Sequence, residues 1–501
     1  MRHASYNKGG IMAKAIMIQG TASNSGKTFL TAGLCRLFKQ DGYKVAPFKS
    51  QNMALNSYVT ADGFEIGRAQ AMQAEAAGTP PDVRMNPILL KPTSDQGSEV
   101  IVHGTSRGIM SAKKYFAHKK ALLPEVEQAY ESLAKEHDII VIEGAGSPVE
   151  INLKAEDIVN MGMASLAKAP VLIVGDIDRG GVFASLTGTV LLLTEEERRF
   201  VKGVIINKFR GDLDILRPGL VSLADIIQQP ILGVVPHVEV TIDDEDSLSS
   251  GFCQPLMEGN LDIAVIRLPR MTNFTDFAIF DSMDGVSVRY VRSYRELGSP
   301  DCIMLPGTKN VDDDLIWLRE SGLAASLIRF MEKKPLFALG EGAELAAHLL
   351  AFCSATVGAK MSTVRVKTNN DIPFSKSAQK EYFLTKPHRI QGCIPPLEGI
   401  FSGLSGMPFS GYSLHNAPQN DDAIIWNNGH VYGTCIHGLF DDGDISSEMV
   451  RALLQAKGIT ADALKPFDMQ AFKESQYDIL ADTLRKSLDM TALYAILEEG
   501  M

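Results

Sequence analysis

The sequence predicts an α/β protein built from two successive domains. Three observations carry this. Short branched-apolar runs alternate with helical stretches from residue 15 to about 236. A glycine-rich loop ending in Gly-Lys-Thr directly follows the first of those runs. A second alternating pattern starts at residue 261, after an acidic, serine-rich stretch. Strands that alternate with helices argue for a parallel, doubly wound sheet.

The elements follow in order. Residues 15–18 are the first strand, and 27–40 form a helix with Phe29, Leu30, Leu34 and Leu37 at helical spacing. Residues 44–47 form a second short strand. The run Asp-Ile-Ile-Val-Ile at 138–142 is continuously branched and apolar, the mark of a parallel strand buried on both faces. Residues 171–174, 203–206 and 231–235 complete the first set. Residues 241–260 carry Asp243, Asp244, Glu245 and Asp246 with serines and glycines, and they read as a linker. The second set comprises 261–268, 302–305, 336–339 and a late strand near 430–435. The expected division is a nucleotide-binding domain over 13–240, a linker over 241–260, a second α/β domain over 261–445 and a helical extension over 446–501.

Composition limits the function classes. The 501 residues hold 49 Lys and Arg against 60 Asp and Glu, a net charge of −11. Such a chain lacks the basic surface that nucleic acid or anionic lipid requires, so neither is an expected partner. Hydrophobic residues at 45% are enough for full cores. The six cysteines include no C-x-x-C pair, which speaks against a zinc knuckle and for a reducing, cytoplasmic setting. The apolar runs are too short to span a bilayer.

The chemistry starts at Gly20-Thr21-Ala22-Ser23-Asn24-Ser25-Gly26-Lys27-Thr28. A loop between a strand and a helix offers backbone N–H groups and a helix N-terminus to phosphate oxygens. Gly20, Thr21, Asn24, Ser25 and Gly26 would line it, Lys27 would neutralise the terminal phosphates, and the Thr28 hydroxyl would bind Mg2+. Five residues separate Gly20 from Gly26, where the common signature has four. Glu143 ends a strong strand and is the second candidate metal ligand. Asn207, after a later strand, could read the nucleotide base or be a plain loop residue. Loops after strands are also rich in amides and charges. Among them Lys49, Gln51, Asn52, Asp62, Arg68, Lys91, Asp178 and Arg179 are candidate substrate contacts, with the cations suited to carboxylate or phosphate.

These residues fall into runs that resemble the cobyric acid synthase family. The runs are Pro47-Phe48-Lys49-Ser50-Gln51-Asn52-Met53, Thr60-Ala61-Asp62-Gly63, Met85-Asn86-Pro87, Lys91-Pro92, Glu143-Gly144-Ala145-Gly146-Ser147-Pro148 and Asp176-Ile177-Asp178-Arg179-Gly180-Gly181-Val182-Phe183. The longer phosphate loop is shared by that family and its dethiobiotin synthetase relatives, so the first domain is expected to be dethiobiotin synthetase-like. The resemblance implies ATP- and Mg2+-dependent amidation of carboxylates b, d, e and g of a corrinoid, adenosylcobyrinic acid a,c-diamide, in cobalamin biosynthesis.

The second domain resembles the family's class I glutamine amidotransferase domain. Pro269-Arg270-Met271-Thr272-Asn273-Phe274-Thr275-Asp276-Phe277 matches its opening. Leu305-Pro306-Gly307-Thr308-Lys309-Asn310 matches its oxyanion-hole loop, and Thr434-Cys435-Ile436-His437-Gly438-Leu439-Phe440 carries its catalytic histidine. The nucleophile is missing. The family has Gly-Ile-Cys-Gly-Gly-aromatic-Gln; this chain has Ala338-Leu339-Gly340-Glu341-Gly342-Ala343-Glu344, which puts Gly340 at the cysteine position. Glycine cannot form a thioester. The family's Gly-Tyr-Glu-Ile-His is likewise altered to Gly411-Tyr412-Ser413-Leu414-His415. The expected nitrogen source is therefore free ammonia or a separate ammonia-producing partner, and His437 reads as a retained structural imidazole. Two other readings compete: a non-catalytic paralogue that binds nucleotide or corrinoid, and a phosphate-loop switch ATPase. The latter needs a second loop lysine where this chain has Ser23 and Asn24.

Overall fold

The computed structural model describes residues 13–94, 97–242, 260–356, 387–414, 425–441, 443–460 and 467–501. Most of the expected linker, and His415, lie outside the described residues.

The first domain opens with β1 (Lys14–Gly20), α1 (Lys27–Gln40), β2 (Val45–Phe48), β3 (Gln51–Met53), β4 (Ser57–Val59), β5 (Glu65–Gly67) and α2 (Arg68–Ala77). It continues with β6 (Ile88–Ser94), β7 (Gly97–Val102), β8 (Thr105–Ser111), α3 (Ala112–His118), α4 (Leu123–Ala134) and β9 (Ile139–Glu143). Then come α5 (Met161–Ala167), β10 (Val171–Asp176), α6 (Val182–Leu192), α7 (Glu195–Arg198), β11 (Val201–Phe209), α8 (Leu213–Ile227) and β12 (Ile231–Pro236). Six strands form one parallel sheet in the order β12-β11-β10-β1-β9-β2. The chain moves to one side of β1 for β9 and β2, and to the other for β10, β11 and β12. The crevice at the carboxyl ends of β1, β9 and β10 is thus a topological switch point, where such sheets bind ligands. The branched residues of β9 and β10 are fully buried, each contributing about 1.5–3 kcal/mol by leaving water.

The stretch between β2 and β9 is more ordered than its polar loops suggest. It forms a four-stranded sheet, β3-β6-β7-β8, and a β4-β5 ribbon. Asn52, Asn56, Ser57, Gln70, Asn86 and Lys91 are buried there and hydrogen-bonded to one another or to backbone. Internal pairing replaces water, so a polar composition does not require a surface loop.

The second domain comprises β13 (Leu261–Ile266), β14 (Met271–Thr272), α9 (Ala278–Asp281), β15 (Val286–Val291), α10 (Tyr294–Leu297), β16 (Cys302–Leu305) and β17 (Gly307–Thr308). It goes on through α11 (Val311–Glu320), α12 (Leu323–Met331), β18 (Leu336–Leu339), α13 (Gly342–Thr356), β19 (His388–Cys393) and β20 (Pro408–Ser413). It ends with β21 (Ile425–Asn428), β22 (Val431–Thr434) and α14 (Gly443–Ala456). Its main sheet runs β15-β13-β16-β18-β22-β21, antiparallel only at the last pair.

The expected extension over 446–501 divides in two. Ile445, Met449, Val450 and Leu453 of α14 join the second core. The helices α15 (Met469–Ser487) and α16 (Met490–Glu499) return to the first domain. Ala481, Leu484, Leu493 and Leu497 share a core with Ile16, Ile18, Leu30 and Leu34. Leu484 lies against Gly33 of α1, where a Cβ would come within 2.6 Å of it. Arg36 pairs with Glu474 at 2.6 Å and Asp478 at 2.7 Å. The Tyr477 hydroxyl donates to Glu75 at 2.9 Å.

Candidate functional site

The phosphate loop lies between β1 and α1. Gly26 caps α1 at φ +92°, a conformation that suits glycine, and a Cβ there would collide with the Asn207 amide. The first turn of α1 therefore presents its unsatisfied N–H groups toward the loop. Lys27 Nζ folds across it, donating to the carbonyls of Ala22 at 3.0 Å and Gly146 at 3.2 Å.

Glu143, fully buried at the end of β9, is the centre of the cluster. Its Oε1 accepts from Thr28 Oγ1 at 3.0 Å and from Lys49 Nζ at 2.9 Å, and its Oε2 accepts from Gln73 Nε2 at 2.5 Å. A hard cation takes oxygen ligands, and magnesium keeps several waters while sharing one or two protein groups with phosphate. One carboxylate beside one hydroxyl on a phosphate loop fits that donor set. Gln73 was not singled out by the sequence. Its signal is its place one helical turn after Gln70 on α2.

Asn207, at the end of β11, donates from Nδ2 to the Ser25 carbonyl at 3.0 Å. That amide nitrogen braces the loop. Asn207 also lines a cavity with Phe29, Pro236, His237, Leu480 and Thr483. The last two belong to α15, so that helix forms one wall of a cavity beside the phosphate loop. Lys208 Nζ reaches the Asn24 carbonyl at 2.6 Å and Asp176 at 2.9 Å.

The other sequence candidates separate into three places. Asp178 and Arg179 are exposed after β10; Arg179 lies 3.7 Å from Asp176 and Asp178 lies 3.6 Å from Arg210. Gln51 accepts from the Tyr115 hydroxyl at 2.6 Å, and Asn52 donates to Gln70 at 2.9 Å. Asp62 is exposed in the β4-β5 turn. Arg68 and Lys91 lie at the boundary with the second domain. Arg68 is buried 3.6 Å from Asp441, and Lys91 pairs with Glu65 and donates to Ser57 Oγ at 2.9 Å.

That boundary is a polar seam. Asn273 Nδ2 and the Tyr412 hydroxyl both donate to the Ser57 carbonyl, at 3.3 and 3.0 Å, and the Phe274 N–H donates to Asn56 Oδ1 at 3.3 Å. Lys309 pairs with Glu99 at 2.8 Å. Burial pushes the Glu99 carboxyl up, but Lys309 and Lys91 outweigh it and hold it at about 2.

Just behind the seam lies the second-domain site. His437 Nδ1 stands 2.8 Å from Asp276 Oδ2, and the Gly438 N–H donates to Asp276 Oδ1 at 2.9 Å. Both side chains are buried. Burial alone would lower the imidazole pKa; the charge and hydrogen bond of Asp276, with Glu341 nearby, raise it instead. The sequence placed Asp276 in a matching run but gave no sign of this pairing, because the partners are far apart in the chain. On its other edge His437 faces Gly340. This glycine turns β18 into α13 at φ +55°, and a Cβ on it would stand 2.8 Å from His437 Nε2 and Cε1. An Asp-His pair aimed at a strand-to-helix elbow is the geometry of an activated nucleophile, and the nucleophile itself is absent.

The comparisons agree with this layout. Residues 16–248 match the family described as the CobQ/CobB/MinD/ParA nucleotide binding domain. Residues 262–341 match the CobB/CobQ-like glutamine amidotransferase domain. A cobyric acid synthase of Ruminiclostridium cellulolyticum is 51% identical over 98% of both chains. That of Lachnoclostridium phytofermentans is 50% identical over 98% of this chain and 100% of its own. That of Streptococcus sanguinis is 44% identical over 97% and 99%. With a phosphate-loop sheet, a glutaminase-like sheet and near-complete alignment at this identity, the chain belongs to the cobyric acid synthase family.

Proposed function

We propose that this chain is a corrinoid amide ligase that consumes ATP and takes ammonia directly, rather than from glutamine on its own second domain. The substrate is adenosylcobyrinic acid a,c-diamide and the groups amidated are carboxylates b, d, e and g. A carboxylate is a poor electrophile. Transfer of the γ-phosphoryl group to it gives an acyl phosphate, which ammonia attacks with loss of phosphate. Lys27 and the N–H groups at the start of α1 would hold the transferring phosphate, and Lys49 adds a second cation at the same carboxylate cluster. Thr28 and Glu143 would hold Mg2+, which when bound offsets phosphate charge. The cavity walled by α15 would take the nucleotide base.

The observation that carries the ammonia reading is Gly340, with no side chain opposite His437. The test supplies ATP and the a,c-diamide with either glutamine or ammonium, and follows the corrinoid by mass spectrometry. Amidation is expected with ammonium and not with glutamine. Efficient turnover on glutamine alone would sink the reading. Failure on both, with ATP still bound, would favour a non-catalytic nucleotide-binding protein.

A further inference from the structure

We propose that Glu341 is a second determinant of nitrogen-donor choice, a carboxylate standing where a glutamine amide would have to bind, so that supplying a thiol at position 340 is not enough to restore glutamine use. The inference rests on the reading that the second domain does not hydrolyse glutamine.

The geometry is local. A Cβ on Gly340 would point at His437 and lie 3.6 Å from the Gly307 Cα. A carbonyl carbon bonded to a nucleophile at 340 must therefore sit between His437, Gly307 and the N–H groups at the start of α13. That space is lined on the Gly307 side by two oxygens. Thr272 Oγ1 and Glu341 Oε2 stand 2.5 and 2.8 Å from the point where a Gly307 Cβ would be. The position after the nucleophile is glycine in the family pattern and carries a carboxylate here.

A carboxylate at this place opposes glutaminase chemistry in two ways. A tetrahedral intermediate carries negative charge on its oxygen, and a neighbouring anion destabilises it where a donor would stabilise it. A negative charge beside His437 also favours the imidazolium, which cannot take the proton from an incoming thiol. Glu341 raises the pKa of His437 and also that of Lys309. Room for a side chain at 340 is tight, since His437 would have to withdraw slightly from an added Cβ.

The experiment compares wild type, Gly340→Cys, Gly340→Cys/Glu341→Gly and Gly340→Cys/Glu341→Ala, with thermal unfolding as the check on folding. Glutamate release from glutamine is measured, together with labelling by a glutamine-derived diazoketone. In an active variant the introduced thiolate adds to the side-chain carbonyl carbon of glutamine. The C–N bond breaks, ammonia leaves with the proton held on His437, and water cleaves the thioester to glutamate and free thiol. Wild type and the single variant are expected to stay at background. The double variants should exceed the single variant by about 100-fold or more, the scale of gaining or losing oxyanion stabilisation. The alanine variant covers the case in which glycine loosens the start of α13. A single variant as fast as the doubles overturns the role of Glu341 and leaves the ammonia reading standing. Folded double variants that neither label nor hydrolyse also overturn it. Glutamine hydrolysis by wild type overturns the ammonia reading, and this inference with it.

Discussion

Lys49 Nζ lies 2.9 Å from Glu143 Oε1, and neither side chain reaches solvent appreciably. Glu143 ends β9 and Lys49 directly follows β2, and the two strands are neighbours in the sheet. The pair brings a cation to the carboxylate that also accepts from Thr28.

Removing one partner of such a pair leaves the other charge buried. Lys49→Met is expected to destabilise the chain by about 3–5 kcal/mol. Lys49→Met/Glu143→Gln should recover much of that stability while ATP-dependent amidation stays lost. Urea unfolding and an ATP turnover assay on the same samples separate the two effects. A double variant that is stable and active would show that the cluster is structural.

The α15 wall gives a second prediction. Leu484 is buried in the core shared with α1, so Leu484→Ala should cost about 2–5 kcal/mol. Thr483 lines the cavity beside Asn207, and Thr483→Trp should fill it. Affinity for a fluorescent ATP analogue is expected to drop for Thr483→Trp with little change in unfolding temperature. Unchanged affinity would place the base elsewhere.

The third prediction concerns pH. The His437 pKa in the folded chain is raised above its ordinary value of 6.5. A raised pKa means the folded state holds the proton more tightly than the unfolded state. The stabilisation is therefore fully present below pH 6.5 and fades as pH rises through the folded value. Asp276→Asn removes the principal cause, so the decline in stability above pH 6.5 should flatten. Unfolding measured across that range, with the imidazole followed by NMR, checks it. An unchanged slope in the variant would assign the effect to another group.

Much of the fold could be read in the sequence because the strands of both sheets are continuous apolar runs and the phosphate loop sits between a strand and a helix. Gly340 was equally plain, since a missing side chain is a fact of sequence. The insertion between β2 and β9 was not. Its amides and cations look like solvated loops until their mutual hydrogen bonds are seen, as Asn52 with Gln70 and Asn86 with the Gly67 N–H show. Arg68 and Lys91, candidate ligand contacts by their charge and their place after strands, are paired with carboxylates at the seam. Pairings such as Asp276 with His437, or Glu99 with Lys309, join residues that have no periodic relation, so no spacing rule could find them.

The return of α15 and α16 to the first domain makes the second domain an insertion within it. Strand β1 is packed by helices that are synthesised long after it. At ordinary rates of synthesis roughly half a minute or more separates them. During that interval α1 has an apolar flank waiting for Leu480 and Leu484, while the second domain lacks little of its own core beyond Met469 and the adjoining Phe467 and Phe472. The order of completion is therefore inverted: the domain that emerges second can assemble most of its core before the first is complete, and the cavity beside the phosphate loop gains its wall only when α15 is made.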